Sequence, residues 1–236
     1  MRFLRRGITL WLCFVLLFFS CCRPVAVWAD QNGPVVVLDA GHGGEDGGAV
    51  AADGTAESGI NLEIIRKLAA LMAFLGHEIL LTREGEEAVY SPEASTLREK
   101  KVSDLQNRAA ILNSREDAFL ISIHQNSLPS HPKVHGAQVF YNAVSPAQRA
   151  GGIVQAALNQ AVNGGNERPV TAIDSSIYLM KESHHPAILV ECGFLSNREE
   201  SHLLQEPTYQ TRLAAAITAG YRQFLHDNRE WSAYEG

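Results

Sequence analysis

Residues 35–44 read VVVLDAGHGG. Three valines and a leucine run without a polar break into Asp39, the pattern of a short strand buried on both faces rather than one with a wet side. The glycines that follow (Gly41, Gly43 and Gly44, then Gly47 and Gly48) let the backbone turn sharply and come close to whatever binds there. A buried strand that empties into a glycine loop opens an α/β unit, and the rest of the chain reads outward from it.

Downstream, residues 58–75 place Leu62, Ile65, Leu68, Ala69, Met72 and Leu75 at helical spacing, with Gly76 as the stop. His77–Thr82 reads as the next strand and the polar stretch Arg83–Lys101 as a loop. Residues 102–114 form a second helix with Val102, Leu105, Ala109 and Leu112 on one face. Phe119–His124 and Ala137–Tyr141 are strands, Pro146–Val162 a helix, Ile177–Met180 a further short strand, Ala187–Glu191 a strand, and Thr208–Leu225 a closing helix. Strands alternating with helices imply an α/β fold. The expectation is a single domain with a mostly parallel, twisted sheet of about six strands and helices on both faces.

The first 29 residues stand apart. Arg2, Arg5 and Arg6 precede the apolar run Ile8–Cys22, which is shorter than the roughly 20 residues of a spanning helix and has the charge asymmetry of a secretory leader. Val27-Trp28-Ala29 offers small residues for cleavage after Ala29; lipidation at Cys21 or Cys22, or retention as an anchor, are the competing fates. Each puts residues 30–236 outside the cytoplasm. Residues 1–29 hold four arginines and no acidic residue, so the remaining 16 basic residues face 26 acidic ones, a net of −10. A body this acidic lacks the clustered Lys and Arg that phosphate backbones require, which excludes nucleic acid as a partner. Beyond the leader only Cys192 remains, so an exported domain must stand without an internal disulfide. Cys192 reads as a small buried hydrophobe.

In parallel sheets, ligands gather at the carboxyl ends of strands. Three strands finish there in reactive side chains: Asp39–His42, His124 and Glu191. Glu57 stands where the glycine loop enters the first long helix. Two histidines and a carboxylate with an open position form a common catalytic zinc set, and a further carboxylate serves as general base. Plainer readings exist for each: a turn histidine, a helix-start carboxylate, a hydrogen-bonded strand-end histidine. Glu191, closing an apolar strand, is the hardest to explain away, because an unpaired buried carboxylate is costly. Other motifs fail. Gly41-His42-Gly43-Gly44-Glu45-Asp46 puts aspartate where a dinucleotide fingerprint needs glycine, and no P-loop, HExxH or GxSxG occurs. The adjacent His184 and His185 point to opposite faces of a strand, and His131 and His135 read as solvated loop residues.

The blocks VVVLDAGHGGEDGGAV (35–50), AESGINLEI (56–64), LQNRAAILNSREDAFLISIHQN (105–126) and PAILVECGFLSN (186–197) resemble, in order and across nearly the whole body, the zinc-dependent N-acetylmuramoyl-L-alanine amidases of the Amidase_3 family. The segment 177–197 is most similar to the germination-specific, spore-cortex branch of that family. The resemblance implies one Zn²⁺ per chain held by His42, Glu57 and His124, with Glu191 as the catalytic carboxylate. It also implies Asn126 as a substrate contact, since Gln125-Asn126 resembles the usual pair after the second histidine. The implied reaction is hydrolysis of the amide between the lactyl group of N-acetylmuramic acid and L-alanine of the peptidoglycan stem peptide. In a spore cortex that step precedes muramic lactam formation. Asp39 is a candidate to orient a histidine ring, and an activating or localising protein partner is expected for so small an amidase. A zinc peptidase cutting within the stem, or a non-catalytic wall-binding module, are the alternative readings.

Overall fold

The computed structural model of the chain describes residues 33–174 and 176–234; the leader expected over residues 1–29 lies outside them. Six strands form one sheet in the order β2-β1-β3-β6-β4-β5. They are β1 (Val35–Ala40), β2 (Ile79–Leu81), β3 (Ala118–Asn126), β4 (Gln138–Tyr141), β5 (Thr171–Ala172) and β6 (Ala187–Phe194). β2, β1, β3 and β6 run parallel, and β4 pairs antiparallel with β6. The mostly parallel sheet expected from the sequence is therefore present.

Strand alternation sends Val36 and Leu38 to one face and Val37 to the other. The first face is covered by α1 (Glu57–Phe74), α3 (Ala147–Leu158, continued by a π turn to Asn163) and α6 (Pro207–Tyr234). There Ile64, Ile65, Leu68, Val154, Ile217 and Tyr221 are fully buried. The second face is thinner, covered by α2 (Leu97–Asn113) and α4 (Tyr178–Glu182) through Leu112, Leu179 and Met180. A last helix, α5 (Arg198–Gln205), follows β6. Helix α1 ends as its glycine foretold. Gly76 takes φ +89° while its N–H and that of His77 reach back to the carbonyls of Ala73 and Met72.

Three local expectations are corrected. Ile177–Met180 is not a strand; α4 occupies that stretch, packing Leu179 and Met180 side by side onto the second face, and the short strand at the sheet edge is β5 instead. Helix α2 starts at Leu97, inside the stretch expected as loop. Its first two turns are solvent-facing and carry no apolar period, but a Thr96–Glu99 capping box fixes the start. Finally, the buried face of α2 carries Asp104 and Arg108 with Ala109 and Leu112, whereas Val102 is exposed. A buried ion pair, described next, explains why.

Candidate active site

β1, β3 and β6 are neighbours, and their carboxyl ends supply three of the site's side chains. Asp39 lies level with Ser122, and His124 lies level with Glu191. Glu57 enters from the first turn of α1. Its carboxylate is buried and fully engaged: Oε1 accepts from the Gln125 N–H (3.0 Å) and Asn61 Nδ2 (3.2 Å), and Oε2 from the Ala49 N–H (2.8 Å). Against that oxygen Oε1 stand two imidazoles, His124 Nδ1 at 2.9 Å and His42 Nε2 at 3.4 Å. Burial alone would raise the Glu57 carboxyl, but the two histidines beside it hold it well below the usual carboxylate range.

His42 reaches this position only because its backbone takes φ +62°, a left-handed conformation that costs a non-glycine residue roughly 1–2 kcal/mol. The surroundings enforce it. Gly43 and Asp46 exchange backbone hydrogen bonds, and the turn folds Asp46 back so that its Oδ1 lies 3.1 Å from His42 Nδ1. With Nδ1–H held by Asp46, the Nε2 lone pair points at the Glu57 side, the tautomer a metal ligand needs. Burial disfavours the charged His42 ring, but Glu57 and Asp46 outweigh it and raise its pKa.

Two guanidinium groups clamp the same loop from beneath. Arg108, fully buried, donates to Asp39 Oδ1 (2.7 Å), Asp104 Oδ2 (2.8 Å) and the carbonyls of Ala40 (2.7 Å) and His42 (2.6 Å). Arg83 donates to the carbonyls of Ala40, Gly41, Gly85 and Ser58. Asp39 also accepts from Thr82 and Ser122. The sequence made Asp39 a candidate to orient a histidine ring. It instead anchors Arg108, and Asp46 is the carboxylate that holds a ring. Burial pushes the Asp39 carboxyl up, yet Arg108 and the two hydroxyls bring it down to about 2.

Glycine is required where these rings pack. A Cβ on Gly41 would lie 2.7 Å from His124 Nδ1 and closer still to the far edge of that ring. A Cβ on Gly48 (φ +69°) would meet Glu57 Oε2 and, at 2.7 Å, His42 Cδ2.

The residues expected to carry the chemistry are thus mostly brought together. One ligand atom from each of His42, Glu57 and His124 falls within a sphere of mutual distances no greater than 4.8 Å. Nitrogen, carboxylate and nitrogen is a donor set that zinc and neighbouring divalent ions accept, so the group fits a metal ion. Glu191 stands beside His124. Its Oε2 is buried without a hydrogen-bond partner, and burial, helped by the Glu57 charge, pushes its pKa up to about 7. Asn126 is not drawn into this group; beyond a bulge in β3, its side chain accepts from the Ser127 N–H. Cys192 is buried and free, as expected, its thiol pushed far up by burial. Sequence reasoning missed Asp46, Arg83 and Arg108. The signal for Asp46 was its i+4 spacing from His42 across two glycines.

A parallel α/β sheet with a His–Glu–His group and a second, poised carboxyl at its strand ends defines a hydrolase domain able to hold a metal ion. Comparison with known proteins narrows this. The model of the Amidase_3 family, N-acetylmuramoyl-L-alanine amidase, matches residues 36–223, and the chain belongs to that family as a peptidoglycan N-acetylmuramoyl-L-alanine amidase. It is 31% identical over 195 residues to the germination-specific N-acetylmuramoyl-L-alanine amidase of Bacillus subtilis, covering 82% of this chain and 81% of that protein. Among solved structures it resembles the CwlD amidase of Clostridioides difficile, determined in complex with the GerS lipoprotein, at 38% identity and a TM-score of 0.78 over 82% of this chain and 99% of that one. The amidase AmiC2 of Nostoc punctiforme matches at 28% identity and a TM-score of 0.70, over 82% and 97% of the two chains.

Proposed function

We propose that the chain is an exported, zinc-dependent amidase that cleaves the bond between the lactyl carbonyl of N-acetylmuramic acid and L-alanine, and that it acts on spore-cortex peptidoglycan ahead of muramic lactam formation and germination. The observation that carries the chemistry is the convergence of His42 Nε2, Glu57 Oε1 and His124 Nδ1 with Glu191 alongside. Those three residues would hold the ion. When bound, zinc polarises the scissile carbonyl and lowers the pKa of an attacking water. Glu191 takes the proton from that water and returns it to the departing amine of L-alanine. Its place beside His124 at the end of β6 puts this carboxyl within the group that would surround the reacting water. Asp46 keeps His42 in the ligating tautomer, and Asn61 and the Gln125 N–H hold the Glu57 carboxylate in place.

The cortex assignment is supported by the likeness to the germination-specific Bacillus enzyme and to CwlD. The latter's complex with a lipoprotein supports an accessory protein partner for this chain as well. The leader over residues 1–29 would carry the domain out of the cytoplasm, cleaved or kept as an anchor.

The test is mass spectrometry of products from purified cortex peptidoglycan incubated with the full chain, with zinc, with chelator, and as Glu191→Gln. Free stem peptides beginning at L-alanine, lost with chelator and in the variant, are expected. Peptides cut internally would make it a zinc peptidase instead.

A further inference from the structure

Two clefts are lined by residues that lie a few positions along the chain from the members of the His–Glu–His group. The smaller, about 220 Å³, lies on the β1 side between Asp46 and α2; both lysines lining it are neutralised, Lys100 by Glu45 and Lys101 by Asp46. The larger, about 660 Å³, lies on the β3–β6 side. Its walls are Val50 and Asp53 from the loop that hydrogen-bonds Glu57, Ser127 and Pro129 just beyond His124, and Arg198 and His202 on α5. The walls are laced together, since the Leu195 N–H donates to the Asn126 carbonyl and the Leu128 N–H to Ser196 Oγ, both at 2.8 Å. Such a groove is formed before any ligand arrives.

We propose that this larger groove is the subsite for the stem peptide, and that Arg198 determines specificity by pairing with a carboxylate of that peptide, while the glycan extends over the smaller cleft. The inference rests on the amidase reading above. Its direction follows from Glu191. The group that returns a proton to the departing amine must face that amine, so the peptide leaves on the β6 side, and the groove on that side is built from the residues that follow β6 and β3. Its charge follows from Arg198, which is exposed and whose guanidinium has no ion pair or hydrogen bond among the described residues. The one carboxylate lining the groove, Asp53, keeps its charge, but its two oxygens are already bonded by the Thr55 N–H and Gln205 Nε2. An acidic protein body repels an acidic peptide, so a local unpaired guanidinium is what gives such a ligand a foothold.

The probes are L-alanyl-D-glutamate and its neutral diamide, titrated into the zinc-loaded full chain and into Arg198→Ala and Arg198→Lys, alongside turnover of the corresponding muramoyl dipeptides. The wild type is expected to bind the acid about tenfold more tightly than the diamide, and Arg198→Ala to lose that preference. In turnover the loss appears as a raised KM with kcat unchanged, the sign of a contact made equally in ground and transition states. Arg198→Lys restores part of it. Equal affinity of wild type and Arg198→Ala for the acid overturns the proposal. So does displacement of the bound dipeptide by peptide-free glycan, because the two would then share one groove. Binding is read without turnover, so Arg198-dependent capture of the acid in a chain that releases no alanine-terminated peptide would uphold the groove and overturn the amidase reading.

Discussion

Gly41→Ala should unseat His124 while leaving the fold intact. Gly41 has no positive φ, so alanine suffers no backbone strain there; the conflict is steric alone. The new Cβ would stand 2.7 Å from Nδ1 of His124 and closer to its Cε1 and Nε2, where ordinary contact begins at 3.4 Å. The Gly41 backbone cannot retreat. Its N–H donates to the Ile123 carbonyl at 3.0 Å, and its carbonyl accepts from Asn61 and Arg83. The imidazole is the softer partner, with 22% of its side chain exposed, and it must swing by about 1 Å or change rotamer, at a cost on the order of 0.5–1.5 kcal/mol. That movement breaks its 2.9 Å approach to Glu57. A displaced ligand should lower zinc affinity by about 10- to 100-fold, by analogy with the loss of a group that orients a ligand, and turnover at saturating zinc by about 100-fold for a shift of that size. Stability of the metal-free protein should change little; 1 kcal/mol is about 2–4 °C in a domain of this size. Competition titration with a chromophoric chelator gives the affinity, and thermal unfolding in chelator gives the fold. Wild-type zinc affinity in a folded Gly41→Ala protein would refute the placement of His124 against Gly41. A collapse of the metal-free Tm would show that the glycine serves the fold rather than the site.

Other outcomes follow from the same geometry. Glu191→Gln should bind zinc at wild-type stoichiometry yet lose about 100- to 10,000-fold in kcat, and retention of turnover would remove Glu191 as the proton carrier. His124→Ala should lose zinc, read as metal content after dialysis, and full occupancy would exclude it as a ligand. The Asp39 carboxyl is lowered in the fold from 3.8 to about 2, so its ionised form is favoured there. The resulting stabilisation, about 2 kcal/mol, is complete above pH 4 and lost as pH falls through 2. The gap in stability between wild type and Asp39→Asn, read from urea unfolding, should therefore narrow by about 2 kcal/mol as pH drops from 5 to 2, from about 3–5 kcal/mol at pH 5, where Arg108 is left buried with one fewer anion. A gap that stays constant with pH would show that Asp39 is not ionised in the fold.

What the sequence disclosed and what it hid divide along physical lines. The strands that carry the site were legible because a parallel strand is buried on both faces and shows as an unbroken apolar run, VVVL or AILV. Their polar terminators stood out against those runs, which is why His42, His124 and Glu191 could be picked out at all. Glu57 was ambiguous for a sound reason, since it is a helix-start carboxylate and a member of the site at once. The hidden parts are those where polar groups are buried in mutual contact. Asp104 and Arg108 are one helical turn apart on α2, and any reading by hydrophobic period assigns them to solvent. Only the tertiary placement of Asp39 and two loop carbonyls, those of Ala40 and His42, turns that face inward. The choice between Asp39 and Asp46 as the ring-holding carboxylate depended on a left-handed His42 backbone, which no propensity scale assigns to histidine.

The buried guanidinium pair gives that strained histidine its physical explanation. Among the described residues Arg83 has no carboxylate partner within hydrogen-bond reach; its bonds there all go to backbone carbonyls, and burial lowers its pKa to about 10. Keeping a charge in that place is expensive, and replacing a buried polar group by an apolar one of equal size often stabilises a fold. What the two guanidiniums secure is the loop from Ala40 to His42, whose three carbonyls all point at them. A loop with glycines on either side of a left-handed histidine would otherwise sample many conformations, and each would move Nε2 away from Glu57. The site is thus held by the part of the core that contributes least clearly to stability. Metal binding to this one arrangement then adds stability by mass action. Zinc should therefore protect the β1–α1 loop from hydrogen exchange more than it protects the sheet beneath, whose hydrogen bonds are already closed.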